Sequence, residues 1–254
     1  MPRNALLCIS VSEGCESSAS RLDESMPQMS APPNRFFFKG QIVHLSLLLI
    51  LLVAVGQLTA FKPLRANRLL GVGADVWFIV ALGVPIVHQV YVWLAWRSEL
   101  CFRGLTHRLG PHAFVIYQVV FMVCLLSRPV SLTLLAIADH DSFALASPAR
   151  LVICAILAIP AVYTLYSVVR YFGMARAAGI DHFDPSYRSK PLVKQGAFKY
   201  VSNSMYSFGF LLLWVIAIGG ASWAAIVVAL FSHVYIWVHY YCTERPDMKI
   251  IYGT

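Results

Sequence analysis

The sequence predicts an all-α fold: a polytopic bundle of transmembrane helices with about six membrane segments, the last two forming a helical hairpin. Three observations predict it. Of 254 residues, 59% are hydrophobic and only 13% are charged, against about 25% charged in an ordinary soluble domain. The apolar residues gather into runs of about 20, the length that crosses a hydrocarbon core of about 30 Å. Lys and Arg collect in alternate loops between those runs. The mean hydropathy is +0.68. The formal charge of +8 is not read as nucleic-acid binding, because no basic patch is interleaved with exposed aromatics.

Residues 1–34 are Ser-rich, end near Pro32 and Pro33, and read as a disordered tail. They lack a basic stretch ahead of an apolar core, so they are not read as a secretory signal. The first span runs from about Gln41 to Phe61, and its uncharged core predicts a structural helix facing lipid. The second runs from about Ala74 to Trp96, with Pro85 expected to kink it. It carries His88 and Gln89, and Glu99 follows nearly on the same face. These polar groups are either a helix–helix hydrogen bond or the wall of a cofactor or acceptor pocket.

The third span runs from about His112 to Ala138 and is interrupted by Arg128-Pro129. Either the helix breaks there, or Arg128 sits near an interface and snorkels; a kinked single span is favoured. The fourth runs from about Arg150 to Phe172. Beyond it, Gly179 looks like a helix C-cap, and the polar segment to Gln195 is the longest ordered-looking loop, of a kind that is often functional. These spans make a scaffold over 35–172. The remainder, 173–254, holds the loop, the hairpin and a cytoplasmic tail.

The hairpin has arms Met205–Ile218 and Trp223–Tyr241 around Gly219-Gly220. The first arm is short for a crossing. With six segments, Arg35, Lys39, Arg97, Arg103, Arg108 and the cations from Arg176 to Lys199 fall on one side, and Lys62, Arg65 and Arg68 on the other. The positive-inside rule then puts both termini, the 173–200 loop and Glu244 on the cytoplasmic face. The membrane would be the endoplasmic reticulum in a eukaryote and the inner membrane in a bacterium. The six cysteines form no CxxC pair and read as small buried hydrophobes, with no zinc or other metal site.

Two polar edges flank the hairpin. Gly196, Phe198, Tyr200, Asn203, Met205 and Tyr206 lead into it, and Asn203 or Ser204 is expected to cap its first helix. His233, Trp237, Tyr240 and Glu244, spaced 4, 3 and 4, form one stripe on the second arm, whose aliphatic neighbours are expected to face lipid. Trp237 and Tyr240 also suit an interfacial aromatic belt. Glu244 reads as the end of that helix, where a carboxylate opposes the macrodipole and wants a cation; a ligand ammonium or sulfonium would serve.

The order Gly-x-Phe-x-Tyr, Asn-x-Met-Tyr, apolar hairpin, Glu and a closing Ile-Tyr-Gly resembles the membrane-embedded methyltransferases, which include phosphatidylethanolamine N-methyltransferases and isoprenylcysteine carboxyl methyltransferases. The resemblance covers about Tyr171 to Gly253. Ser202 and Ser204 stand where the family's entry motif has a charged residue and a proline, Phe208 stands where a Gly is expected, and Arg245 stands where many members have a second Glu. The resemblance implies S-adenosylmethionine as methyl donor, held by His182, Gly196, Phe198, Tyr200, Asn203, Met205, Tyr206, Glu244 and Tyr252, with Glu244 or His233 as the catalytic base. It implies an acceptor in or entering from the bilayer. A phospholipid amine is the first choice; an isoprenylcysteine carboxylate or a small thiol is the alternative. A transporter using His88, Glu99 and Arg128 as a polar pathway, and a non-catalytic scaffold, remain as rivals. No obligate protein partner is read from the sequence.

Overall fold

A computed structural model describes residues 34–253. The predicted tail therefore lies outside the described residues except for Asn34, which opens a 3-10 turn, Asn34–Phe36. Helix α1 is Gln41–Phe61, the span read from the sequence. A two-residue hairpin, β1 Arg68–Leu69 and β2 Val72–Gly73, leads to α2, Ala74–Phe102. A short α3, Gly104–Leu109, precedes α4, Ala113–Ala138, and α5 is Ser147–Ser167. The loop region carries α6, Met174–Ala177. The hairpin is α7, Leu211–Gly219, and α8, Trp223–His239, and α9, Arg245–Tyr252, follows. Among the described residues, five helices are long and apolar enough to cross a membrane; Met205–Gly219 is a shorter apolar sixth.

α1 buries Gln41, His44, Leu48 and Val55, one stripe at helical spacing. That stripe packs on Val227, Phe231 and Tyr235 of α8. Most of its other apolar residues, Ile42, Leu49 and Val53 among them, are exposed as a lipid-facing helix requires. Both α2 and α4 run through their internal prolines, Pro85 and Pro129. The third span is thus one helix, as favoured, but Arg128 does not snorkel. It is 5% exposed and turned inward.

α8 is the centre of the bundle and touches α1, α2, α4 and α7. The expectation that its aliphatic side faces lipid is corrected: Val228, Ala229 and Ile236 are buried, and Val234 alone of that set is exposed. The small residues Ala224, Ala225 and Ala229 let neighbouring helices approach closely. Asp139, at the end of α4, fixes the start of α8. Its carboxylate accepts from Ser222 Oγ at 2.8 Å, Ser142 Oγ at 2.7 Å and the Ala224 amide at 3.1 Å. Carboxylate charge at a helix N-terminus is favourable, and Ser222 itself caps the helix by accepting from the Ala225 amide.

The opposite end is closed by a buried ion pair. Arg97 of α2 lies 2.5 Å from Asp247 of α9, both side chains fully buried. Arg97 also donates to the carbonyls of Phe36 and Thr243. One guanidinium thus ties the start of the described chain, α2 and the C-terminal helix together. Glu99 accepts from the Leu105 and Thr106 amides and caps α3.

Candidate active site

Three π-helical turns meet around the hairpin entrance: Val168–Phe172, Met205–Gly209 and Tyr240–Glu244. A π turn inserts an extra residue into a helical repeat, swings side chains off their α register and often marks a functional site. Met205–Gly209 packs on α5 and α8. It places the Tyr206 ring 5.9 Å from Trp237, 6.0 Å from Tyr240 and 6.4 Å from Phe210. The Tyr206 hydroxyl donates to Glu244 Oε2, joining the two polar edges across 38 residues of sequence.

Glu244 is not at a helix end, as read from the sequence. The chain continues helically into α9, because Pro246 falls in its first turn, where a missing amide hydrogen costs nothing. The carboxylate therefore stands at the start of α9, with the macrodipole rather than against it.

Other predicted residues are placed differently. Met205 lines a cavity beside Tyr206. Gly196 has φ +59°, and a Cβ there would strike Ser167 and Tyr171. Phe198 is buried and stacked on Phe172, centroids 4.8 Å apart. These two seat the loop on the π turn after α5, and the Ala197 amide donates to Ser167 Oγ. Tyr200 is 73% exposed and lines no cavity described here. Neither Asn203 nor Ser204 caps through its side chain. Asn203 accepts through its carbonyl from Tyr206 and Ser207, and the Ser204 hydroxyl donates back to Ala197 and Val201. Local turn geometry absorbs both groups.

His182 stacks on Trp96, centroids 4.2 Å apart, and its Nε2 is 3.4 Å from Asp247. The Tyr252 hydroxyl donates to Asp181. Both residues fasten α9 to the loop behind the cavity wall. His233 accepts from the Trp214 indole at 3.0 Å and faces Phe210. It lies eleven positions before Glu244 on one helical path, about 16 Å along the axis.

The cavity has a volume of about 370 Å³ and lies between α2, α4, α5, the Met205–Gly209 turn and α8. That volume falls in the range of roughly 300–1,000 Å³ usual for small-molecule sites. Its wall is largely apolar but includes His88, Gln89, Arg128, Thr164, Tyr206 and His239. His88 and Gln89 were read as a possible pocket wall. Thr164 and His239 were missed. His239 lies one position before Tyr240 and points from the same helix into the bundle, while Thr164 is a lone hydroxyl in an apolar run. Met174 and Ala177, from the loop, also line the cavity.

Residues 149–254 match the sequence model of the phospholipid methyltransferase family. No curated protein sequence and no solved structure matched the chain. The match spans α5, the loop, the hairpin and α9, the segment that supplies Thr164, Tyr206, His239 and Glu244 to the cavity and its rim. Over this C-terminal segment the chain is similar to the phospholipid methyltransferase family.

Proposed function

We propose that the protein transfers a methyl group from S-adenosylmethionine to the amine of a membrane lipid. The observation that carries the reading is the Tyr206–Glu244 hydrogen bond at an apolar cavity whose Arg, His and Thr groups have no partner among the described residues. The residues fit the donor. Glu244 would hold its ammonium, and the Tyr206, Trp237 and Tyr240 rings would face its sulfonium, each such contact worth about 0.5–2 kcal/mol. When bound, S-adenosylmethionine supplies an already activated methyl group.

What remains for this chain is alignment and proton removal. Holding two reactants in line supplies up to about 7–11 kcal/mol, and the rigid contacts of Tyr206 with Trp237, Tyr240 and Glu244 serve that end. An amine acceptor must also lose a proton. His239 is 1% exposed, lines the cavity, and has no partner on either ring nitrogen among the described residues. It is the imidazole that would accept that proton; His233 is occupied by Trp214. Glu99 caps α3, away from His88 and Arg128, so the polar pathway of a transporter is not assembled.

By the asymmetry of its basic loops, this site would face the cytoplasm. Isothermal calorimetry of the detergent-solubilised protein with S-adenosylhomocysteine tests the reading. Saturable binding is expected, followed by label transfer from radioactive donor to phosphatidylethanolamine in mixed micelles. Absence of binding by correctly folded wild type would overturn the proposal.

A further inference from the structure

The cavity carries a second group of side chains that donor binding leaves unused. Arg128 is 5% exposed, and its Nε and Nη2 have no partner among the described residues. His88 and Thr164, 3% and 1% exposed, line the same cavity, and both His88 nitrogens and the Thr164 hydroxyl are likewise unpartnered. A buried guanidinium without a counter-ion is costly. Inside a membrane such a group marks a ligand path by default. Arg128 stacks near Phe210 at 5.7 Å, and among the described residues the cavity lining offers it no carboxylate.

Resting on the methyltransferase reading, we propose that Arg128, assisted by His88 and Thr164, binds the phosphate of the acceptor lipid. Three positional facts select the acceptor over the donor. Leu126, Leu165 and Val169 line the cavity and are also exposed on the outer surface, so the cavity opens sideways between α4 and α5. α7 packs against both helices and bridges their separation. Arg128 belongs to the α4 wall of that opening, beside Leu125, Leu126 and Pro129, and meets whatever enters from the bilayer.

The donor's carboxylate is one carbon from its ammonium, and the ammonium is assigned to Glu244. Glu244 is held at the Tyr206 hydroxyl, whereas Arg128 is held at Phe210, one helical turn further along the hairpin arm. The two charged groups thus meet different residues of the hairpin arm, Glu244 at Tyr206 and Arg128 at Phe210. A phosphodiester is the anion that a glycerolipid carries next to its amine, and a guanidinium fork suits its paired oxygens.

The test is a binding competition on the full-length protein in mixed micelles, comparing phosphatidic acid with diacylglycerol of the same chains. Wild type is expected to prefer the phosphate lipid by about tenfold or more. Arg128→Gln should abolish that preference and leave the affinity for S-adenosylhomocysteine unchanged. No preference in wild type, or a preference that survives Arg128→Gln, overturns the proposal. So does loss of S-adenosylhomocysteine binding with the lipid preference retained, which would assign Arg128 to the donor's carboxylate. If Arg128→Gln is not recovered folded, Thr164→Val carries the test: a reduced preference supports the site, an unchanged one overturns it. Phosphate preference without any S-adenosylhomocysteine binding would leave this site standing and remove the methyl-transfer reading instead.

Discussion

The Tyr206 hydroxyl donates a hydrogen bond to the Glu244 carboxylate, and this contact joins the entrance of the hairpin to the turn that follows its second arm. Both residues sit in π turns. Their side chains are therefore held by backbone geometry as well as by each other.

Removing the carboxylate charge should weaken donor binding most. Glu244→Gln keeps the shape and a partner for Tyr206 but forfeits the charge-assisted bond to an ammonium. Such bonds are worth about 1.5–3 kcal/mol, so S-adenosylhomocysteine affinity should fall roughly 10- to 100-fold. Tyr206→Phe, which removes only the hydroxyl that orients Glu244, should lose about tenfold or less. Calorimetric titration of the two variants checks the order; an equal affinity for Glu244→Gln and wild type would remove Glu244 from the site.

The two histidines of α8 separate base from scaffold. His239→Gln should lower kcat about 10²–10⁴-fold, the usual worth of a general base, with donor affinity little changed. His233→Gln removes the acceptor of the Trp214 indole bond and should act on stability, with kcat close to wild type in the surviving folded protein. Steady-state kinetics at saturating donor decide between them. A large kcat loss at His233 with none at His239 would reverse the assignment.

The Arg97–Asp247 pair predicts a stability effect remote from the cavity. Asp247→Asn leaves a fully buried guanidinium without its counter-charge, a loss of roughly 3–5 kcal/mol. Because Asp247 also meets His182, the closure between α9 and the loop should loosen first. Limited proteolysis should then cut near α9 at a lower temperature than global unfolding. A variant with the wild-type melting temperature and cleavage pattern would contradict this.

The spans were legible because an apolar run of bilayer length is a local property: Gln41–Phe61 is bounded in the sequence by Gly40 and Lys62, and in the structure at the same residues. The Tyr206–Glu244 edge pair was legible because polar groups flanking a greasy hairpin have few other places to go. The orientation of Arg128 was not. Arg-Pro inside an apolar run reads locally as a break or an interface, and only the arrival of α2 and α5 on the same side shows a cavity. Arg97 and Asp247 lie in segments that read as a basic loop and a cytoplasmic tail, and nothing local links residues so far apart in the chain. The π turns are equally hidden, since they arise where packing forces an extra residue into a helix. Tyr200 completes the Gly-x-Phe-x-Tyr pattern, yet it follows the 3-10 turn Gly196–Lys199 and is exposed, a placement set by the local turn.

Gly179 supplies the last prediction, because its role is backbone and not chemistry. Its φ is +82°, and a Cβ there would enter the Trp96 indole, whose Nε1 donates to the Ala178 carbonyl at 3.3 Å. Trp96 in turn lines the cavity and stacks on His182. Gly179→Ala adds a positive-φ penalty of about 1 kcal/mol and displaces an aromatic wall. The expected result is a lower melting temperature together with weaker S-adenosylhomocysteine binding, although residue 179 touches no ligand itself. Ala178→Gly, one position earlier, has ordinary backbone geometry and should leave ligand affinity near wild type. If both variants bind alike, the coupling from Gly179 through Trp96 to the cavity is absent, and the loop merely covers the site.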